Sequence, residues 1–323
     1  MVFAINTLKK KSNTMQISLL DQIHIPSILE ESGLDDCKVC NFSIGNDNRI
    51  HLLLEKNTDQ RGIGRFLAIS FAVDWRNGGA LFQEATDFGV PPLGVSYMQP
   101  LQDGFLLLAA RSRYHGNDKG EKNAFITDAN GVIQTSYCFG DGINQCIVDK
   151  RQRIITSYFD EGVFGNFGWK NPIGESGLIA WSPEGEQLWK NDRHDICDCY
   201  AVNIDNDENL WFYYYTDFNL VKTDYAGDWI FQPDISGSAG FLFHYNKRYA
   251  LFDAGYDRHG EFAAKVFVDG GMRLSNAGPA EFLWNGSPIT PKNFSFRASK
   301  ALLWDSADNL YYTEWREDTT FPR

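Results

Sequence analysis

Three short segments concentrate the side chains able to move a proton or hold a cation: Asp160-Glu161, His194-Asp195-Ile-Cys-Asp198, and Asp257-Arg-His259-Gly-Glu261. A histidine beside carboxylates can work as an acid–base pair. Asp and His are also ordinary loop residues, and spacing alone leaves both readings standing. Cys37-x-x-Cys40 and Cys197-x-Cys199, with His194 close by, are residue types that zinc takes, although the same spacing suits buried thiols on strands. Asp205-Asn-Asp-Glu-Asn209 imitates the first half of a calcium loop. It lacks glycine at the sixth position and has Thr216 where the bidentate glutamate belongs, so it reads as a hairpin turn. Gly174-Glu-Ser176-Gly177 has the wrong spacing for a nucleophile elbow. Arg61-Gly-Ile-Gly64-Arg65 puts two cations on a loop where a carboxylate or phosphate could dock. No segment is a complete catalytic motif.

The elements that must position these residues read as strands. The clearest unit runs from Tyr200 to Phe231: strand, Asp/Asn turn, strand, short loop, strand, glycine turn, strand. Asn, Asp and Gly tolerate the positive φ that tight hairpins demand. The first hairpin recurs, with turns at Gly45–Asn48, Gln102–Gly104, Asp149–Gln152, Asp205–Glu208, Asn246–Arg248 and Ser306–Asn309. An apolar or aromatic strand follows each turn, at intervals of roughly 50 residues, a period that signals a propeller or solenoid. The second hairpin recurs at Trp75–Gly79, Asp128–Gly131, Ser182–Gly185, Tyr225–Asp228 and Val268–Gly271. No such pair follows Trp315, whereas strand-like segments occupy Val2–Leu8 and Met15–Leu20.

The pattern predicts an all-β chain: one six-bladed β-propeller of four-stranded antiparallel blades. Blades are expected at 37–85, 94–137, 143–190, 199–232, 239–275 and 298–315, with residues 1–20 completing the last. That closure removes exposed sheet edges. Leu210-Trp-Phe-Tyr-Tyr-Tyr-Thr-Asp217 and Leu310-Tyr-Tyr-Thr-Glu-Trp315 resemble the Tyr-Trp-Thr-Asp repeat of six-bladed receptor propellers, and Asp-x-x-x-Asn-Leu-Trp resembles NHL-type blades. Phe139-Gly-Asp141-Gly-Ile143 and Ser157–Gly165 are similar to segments of uncharacterised bacterial propeller proteins. The resemblance implies the fold and no particular activity.

A net charge of −12 over 323 residues repels phosphate backbones, so nucleic acid is not an expected partner. Lys9-Lys10-Lys11 reads as a solvated turn between strands. No window has the ~18 apolar residues of a membrane span, and the first thirty residues lack the features of a signal peptide. The expectation is a cytoplasmic protein, away from membranes, whose six cysteines are thiols.

In a propeller the turns within the inner and outer strand pairs lie on one face, and the remaining loops on the other. Here the second set is long: Lys56–Arg65, Thr86–Gly94, Arg111–Asn123, Asp160–Ser176, Asn191–Asp198, Asp253–Glu261 and Asn276–Ser299. Long loops on a rigid scaffold are where binding concentrates. The second strand of each inner hairpin ends near a charge (Glu55, Arg111, Asp160, Asp217, Asp253, Glu314), and in register these would approach the channel mouth. The candidate ligand-binding residues are therefore Arg111, Asp141, Asn144, Asp160, Glu161, Trp169, His194, Asp198, Asp217, Asp253 and His259.

Two functions follow. One is a module that binds a small molecule, peptide or protein on the long-loop face, with Val163–Trp169 and Phe282-Leu-Trp284 as aromatic anchors. The other is a metal-assisted hydrolase or lactonase in which Asp160, Asp217, Asp253 and Asn144 hold a divalent cation, a reading that rests on fold analogy.

Overall fold

The computed structural model describes residues 14–56, 64–117 and 119–316. The strand expected at Val2–Leu8, the lysine turn and Arg61 lie outside them. Strand segments alternate side chains between two faces, and here both faces are apolar because each sheet is sandwiched between two others. Phe212 and Tyr214 pack on Ile155, Leu178 and Ala180 of the preceding sheet. Their strand neighbours Trp211 and Tyr213 pack on Phe241, Phe243 and Phe252 of the following one.

Six sheets result, and the chain is a six-bladed β-propeller. From the centre outward, blade one is Cys37–Ile44, Ile50–Lys56, Arg65–Val73 and Ala80–Gly89. Blade two is Tyr97–Leu101, Gly104–Leu108, Ala124–Thr127 and Ile133–Tyr137. Blade three is Ile143–Val148, Ile154–Tyr158, Leu178–Trp181 and Gln187–Lys190. Blade four is Asp198–Ile204, Leu210–Tyr215, Leu220–Thr223 and Asp228–Phe231. Blade five is Phe241–Phe243, Tyr249–Asp253, Phe262–Val268 and the long strand Arg273–Trp284. Among the described residues helix is confined to short segments such as Ile25–Glu31 and Asp160–Phe164.

Blade six closes the ring as expected, with an N-terminal strand completing the C-terminal blade, but its strands fall elsewhere. They are Asn293–Arg297, Lys300–Trp304 and Asn309–Glu314, with Asp21–His24 antiparallel on the last. Among the described residues, closure thus uses 21–24. Met15–Ser18 instead runs parallel to Ala280–Leu283 on the outer strand of blade five. The loop expected at Asn276–Ser299 contains the end of that strand, the short strand Ser287–Ile289 and the innermost strand of blade six.

The shift has a local cause. The inner turn of blade six is Ala298-Ser299, with Ala298 at φ 54°, a conformation that alanine does not advertise. Blades four and five hold it there: the Ala298 amide donates to Asn203 Oδ1 (2.8 Å), and its carbonyl accepts from the Phe243 amide (3.0 Å). Ser306–Asn309 is consequently the turn between the second and third strands, and Glu314 ends the third strand on the face opposite the long loops.

Candidate functional site

Inner strands converge on a channel lined by amides. Gln145 brackets two blades, accepting from the Val202 amide (2.9 Å) and donating to the Ala239 carbonyl (3.3 Å). Asn144 donates to the carbonyls of Cys199 (2.9 Å) and Tyr200 (3.3 Å), so this candidate acts as a blade-to-blade tie. Arg297 is buried at the turn end of the channel, where its guanidinium donates to the Val148 carbonyl (2.7 Å).

On the long-loop face of blades two and three, Arg111 forms a two-point pair with the buried Asp141 (2.8 and 2.9 Å) and also meets Glu161 (2.6 Å). Its guanidinium lies over the Phe167 ring, 4.2 Å from the centroid. A hydrogen bond from Asn166 first, and the Arg111 guanidinium after it, hold the Glu161 carboxyl below its usual range. Gly142, at φ 71°, lets the Asp141 loop lie against Asp160–Phe164: a Cβ there would stand 2.3 Å from the Gly162 nitrogen. This explains the Gly-Asp-Gly sequence. Trp169 packs into the same assembly, its indole donating to the Ser112 carbonyl (2.7 Å) and its ring 4.8 Å from that of Tyr114.

Other candidates are likewise engaged in loop architecture. Asp253 is buried and accepts from the amides of Gly260 (2.9 Å) and Ala239 (3.1 Å), with His259 Nδ1 at 3.3 Å. The His194 ring packs on Phe212, and its Nε2 is hydrogen-bonded with Asp228 Oδ2 (3.0 Å). Asp217 accepts from the Tyr214 hydroxyl (3.3 Å).

Asp160, Asp217 and Asp253 do not assemble a ligand set. Among the described residues no three His, Cys, Asp or Glu side chains converge on a metal position. All six cysteines are free thiols, and Cys37, Cys40, Cys197 and Cys199 build no zinc site. Of the expected aromatic anchors, Phe164 and Phe167 are exposed, whereas Phe282 lies in the core between blades five and six.

Asp198 differs from the rest. It opens the innermost strand of blade four on the long-loop side, opposite Tyr215 in the register. Its Oδ1 is buried without a hydrogen-bond partner. Burial, and then the charge of Asp160, push its carboxyl up to about 7. Beside it lies an aromatic surface that sequence reasoning missed. The Tyr215 and Phe218 rings are 5.4 Å apart, Phe218 and Tyr256 6.1 Å, and Tyr200 and Tyr256 6.2 Å. Tyr215 is 41% and Tyr256 54% exposed. The Tyr213–Tyr215 run was visible in the sequence, but its alternation reads as a buried strand, and nothing local says that Tyr256 of another blade meets it.

No family model matches the sequence, and no curated protein matches it. Solved structures do resemble it. Hsv2 of Kluyvelomyces marxianus aligns at a TM-score of 0.50 and 9% identity, over 87% of this chain and 78% of that one. A virginiamycin B lyase of Staphylococcus aureus aligns at 0.44 and 10%, over 86% and 94%. The periplasmic gluconolactonase PpgL of Pseudomonas aeruginosa aligns at 0.41 and 12%, over 74% and 86%. At these identities the likeness is one of fold. The chain is a β-propeller whose long-loop face combines packed charge networks with the orphaned oxygen of Asp198 near the exposed rings of Tyr215 and Tyr256.

Proposed function

We propose that this propeller is a binding module that takes a ligand or protein partner on its long-loop face, where blades four and five meet beside the channel mouth. The observation that carries the reading is the aromatic surface beside Asp198, in which the exposed rings of Tyr215 and Tyr256 join the half-buried Tyr200 and Phe218. Large rings with polar tips contribute most of the energy at recognition surfaces because they bury much area at little entropic cost. The ion pairs of Arg111 and the ties of Asp253 and Asn144 support it, by holding the surrounding loops in one arrangement before a ligand arrives. Six free thiols fit the reducing compartment that belongs to this reading. The hydrolase alternative gains no support, since its carboxylates do not converge.

The test compares partners retained by the wild-type protein with those retained by two double variants. Tyr215→Ser/Tyr256→Ser alters the long-loop face, while Trp229→Ser/Ile230→Ser alters exposed residues on the outer edge of blade four. A partner whose Kd rises more than about tenfold in the first variant only is the expected result. Loss in the second variant alone would place recognition on the blade edge and end the proposal.

A further inference from the structure

The aromatic corner has a chemistry more specific than apolar area. Asp198 and Tyr215 are directly opposed across an antiparallel pair, so their side chains leave the same face of the sheet. The Tyr215 ring meets Phe218, which meets Tyr256, which meets Tyr200. The hydroxyls of Tyr200 and Tyr256 meet, which fixes the two rings nearly perpendicular, at 88°. Perpendicular rings present a face and an edge to the same space, and the face of a tyrosine attracts cations.

Charge points the same way. The one charge acting strongly on Asp198 is that of Asp160, another carboxylate. No ion pair among the described residues involves either. Three other acids of these loops are matched: Asp141 and Glu161 with Arg111, and Glu261 with Arg258. A carboxyl oxygen kept from water without a donor is costly, and the raised affinity of Asp198 for its proton is how the unliganded protein lowers that cost.

Building on the binding reading above, we propose that this corner seats an unmodified lysine side chain of a protein partner, its ammonium donating to the Asp198 carboxyl and its stem lying against Tyr215, Phe218 and Tyr256. The unpaired carboxyl selects among cations. It asks for a donor, which a lysine ammonium has and a trimethylated one lacks. A single buried acceptor suits a compact ammonium better than the two-pronged guanidinium of arginine. The protein's net charge of −12 draws basic segments toward it over distances longer than any single contact.

The experiment uses the full chain labelled with 3-fluorotyrosine, the Tyr200, Tyr215 and Tyr256 signals being assigned by single Tyr→Phe variants. The probes are the peptide Ac-Gly-Gly-Lys-Gly-Gly-NH2 and its acetyl-lysine and trimethyl-lysine forms. The lysine peptide is expected to shift the Tyr215 and Tyr256 signals and to bind at least about fivefold tighter than the acetylated one. Asp198→Asn should erase that preference while the thermal unfolding transition is retained, and Asp160→Asn should reduce it. Tighter binding of the trimethylated peptide would overturn the donor argument. So would equal binding of all three peptides, unaffected by Asp198→Asn but lost in Tyr256→Ala, although the corner would then stand as a ligand site. Absence of any shift at these tyrosines with millimolar peptide would overturn the lysine proposal. The partner comparison with the Tyr215→Ser/Tyr256→Ser variant would then decide separately whether the face binds anything.

Discussion

Asp198 shows how a surface carboxyl comes to hold its proton near neutrality. Burial disfavours the charged form and Asp160 disfavours it further, so its folded pKa, about 7, lies well above the ordinary aspartate value. Folding therefore favours the protonated acid. The stabilisation is fully present below about pH 4 and is lost as pH rises through about 7. Asp198→Asn, which cannot ionise, is expected to flatten the dependence of unfolding free energy on pH across that window, and to be the more stable protein at pH 8. Denaturant titrations at a series of pH values would show it. Carboxyl carbon NMR should place the Asp198 midpoint near 7, moving lower in Asp160→Asn. Midpoints that do not differ between the two proteins would refute the coupling.

At the scale of the element, one motif serves two positions. Asp205 caps its turn by accepting from the amides of Asp207 (2.9 Å) and Asn209 (3.1 Å), the Trp211 indole (3.0 Å) and Lys247 (3.0 Å). Asp305 does the same for Ala307 (2.9 Å), Asn309 (2.9 Å) and the Tyr311 hydroxyl (3.1 Å). Asp205 is buried and Asp305 is not. Asp205→Ala, which orphans a buried indole N–H, should cost about 3 kcal/mol, and Asp305→Ala roughly half that, by equilibrium unfolding. The two turns look alike in sequence, yet the first joins the innermost pair of a blade and the second joins the middle pair. The same local pattern therefore leaves the strand order of blade six open. A second expectation concerns the approach of Gly142 to Gly162. Gly142→Ala has no room for its methyl and an unfavourable φ of 71°. It should cost at least about 2 kcal/mol and should displace Asp160–Phe164, read as lost amide-exchange protection there.

For the whole molecule, the critical seam is the strand that closes the ring. Asp21–His24 pairs with Asn309–Tyr312, and Asp21 Oδ2 accepts from the Tyr312 hydroxyl (3.0 Å) and from the Gly79 amide of blade one (2.8 Å). Ile23 is inserted among Leu302, Leu310, Tyr312 and the blade-one residues Phe42, Leu52 and Trp75. An unpaired charge there opens the join between first and last blades. Ile23→Asp is expected to cost more than about 4 kcal/mol and to split a single unfolding transition into two, by calorimetry. A variant that still unfolds in one transition at an unchanged midpoint would show that closure does not govern cooperativity.

Strand after strand, the chain by itself determined the blade architecture, because alternation of apolar residues and Asp, Asn and Gly turns are local signals repeated at a fixed period. It also placed Arg111, His194 and His259 in the loops between strands and blades, since loop length is legible in one dimension. Only the tertiary structure decided which of them stay available. Whether Arg111 is spent on Asp141, or Asp198 lacks a partner, depends on which blades are neighbours. The positions of the closing strand and of the Ala298 turn were set likewise by hydrogen bonds from other blades. Those distances link residues far apart in the chain, and no local pattern encodes them.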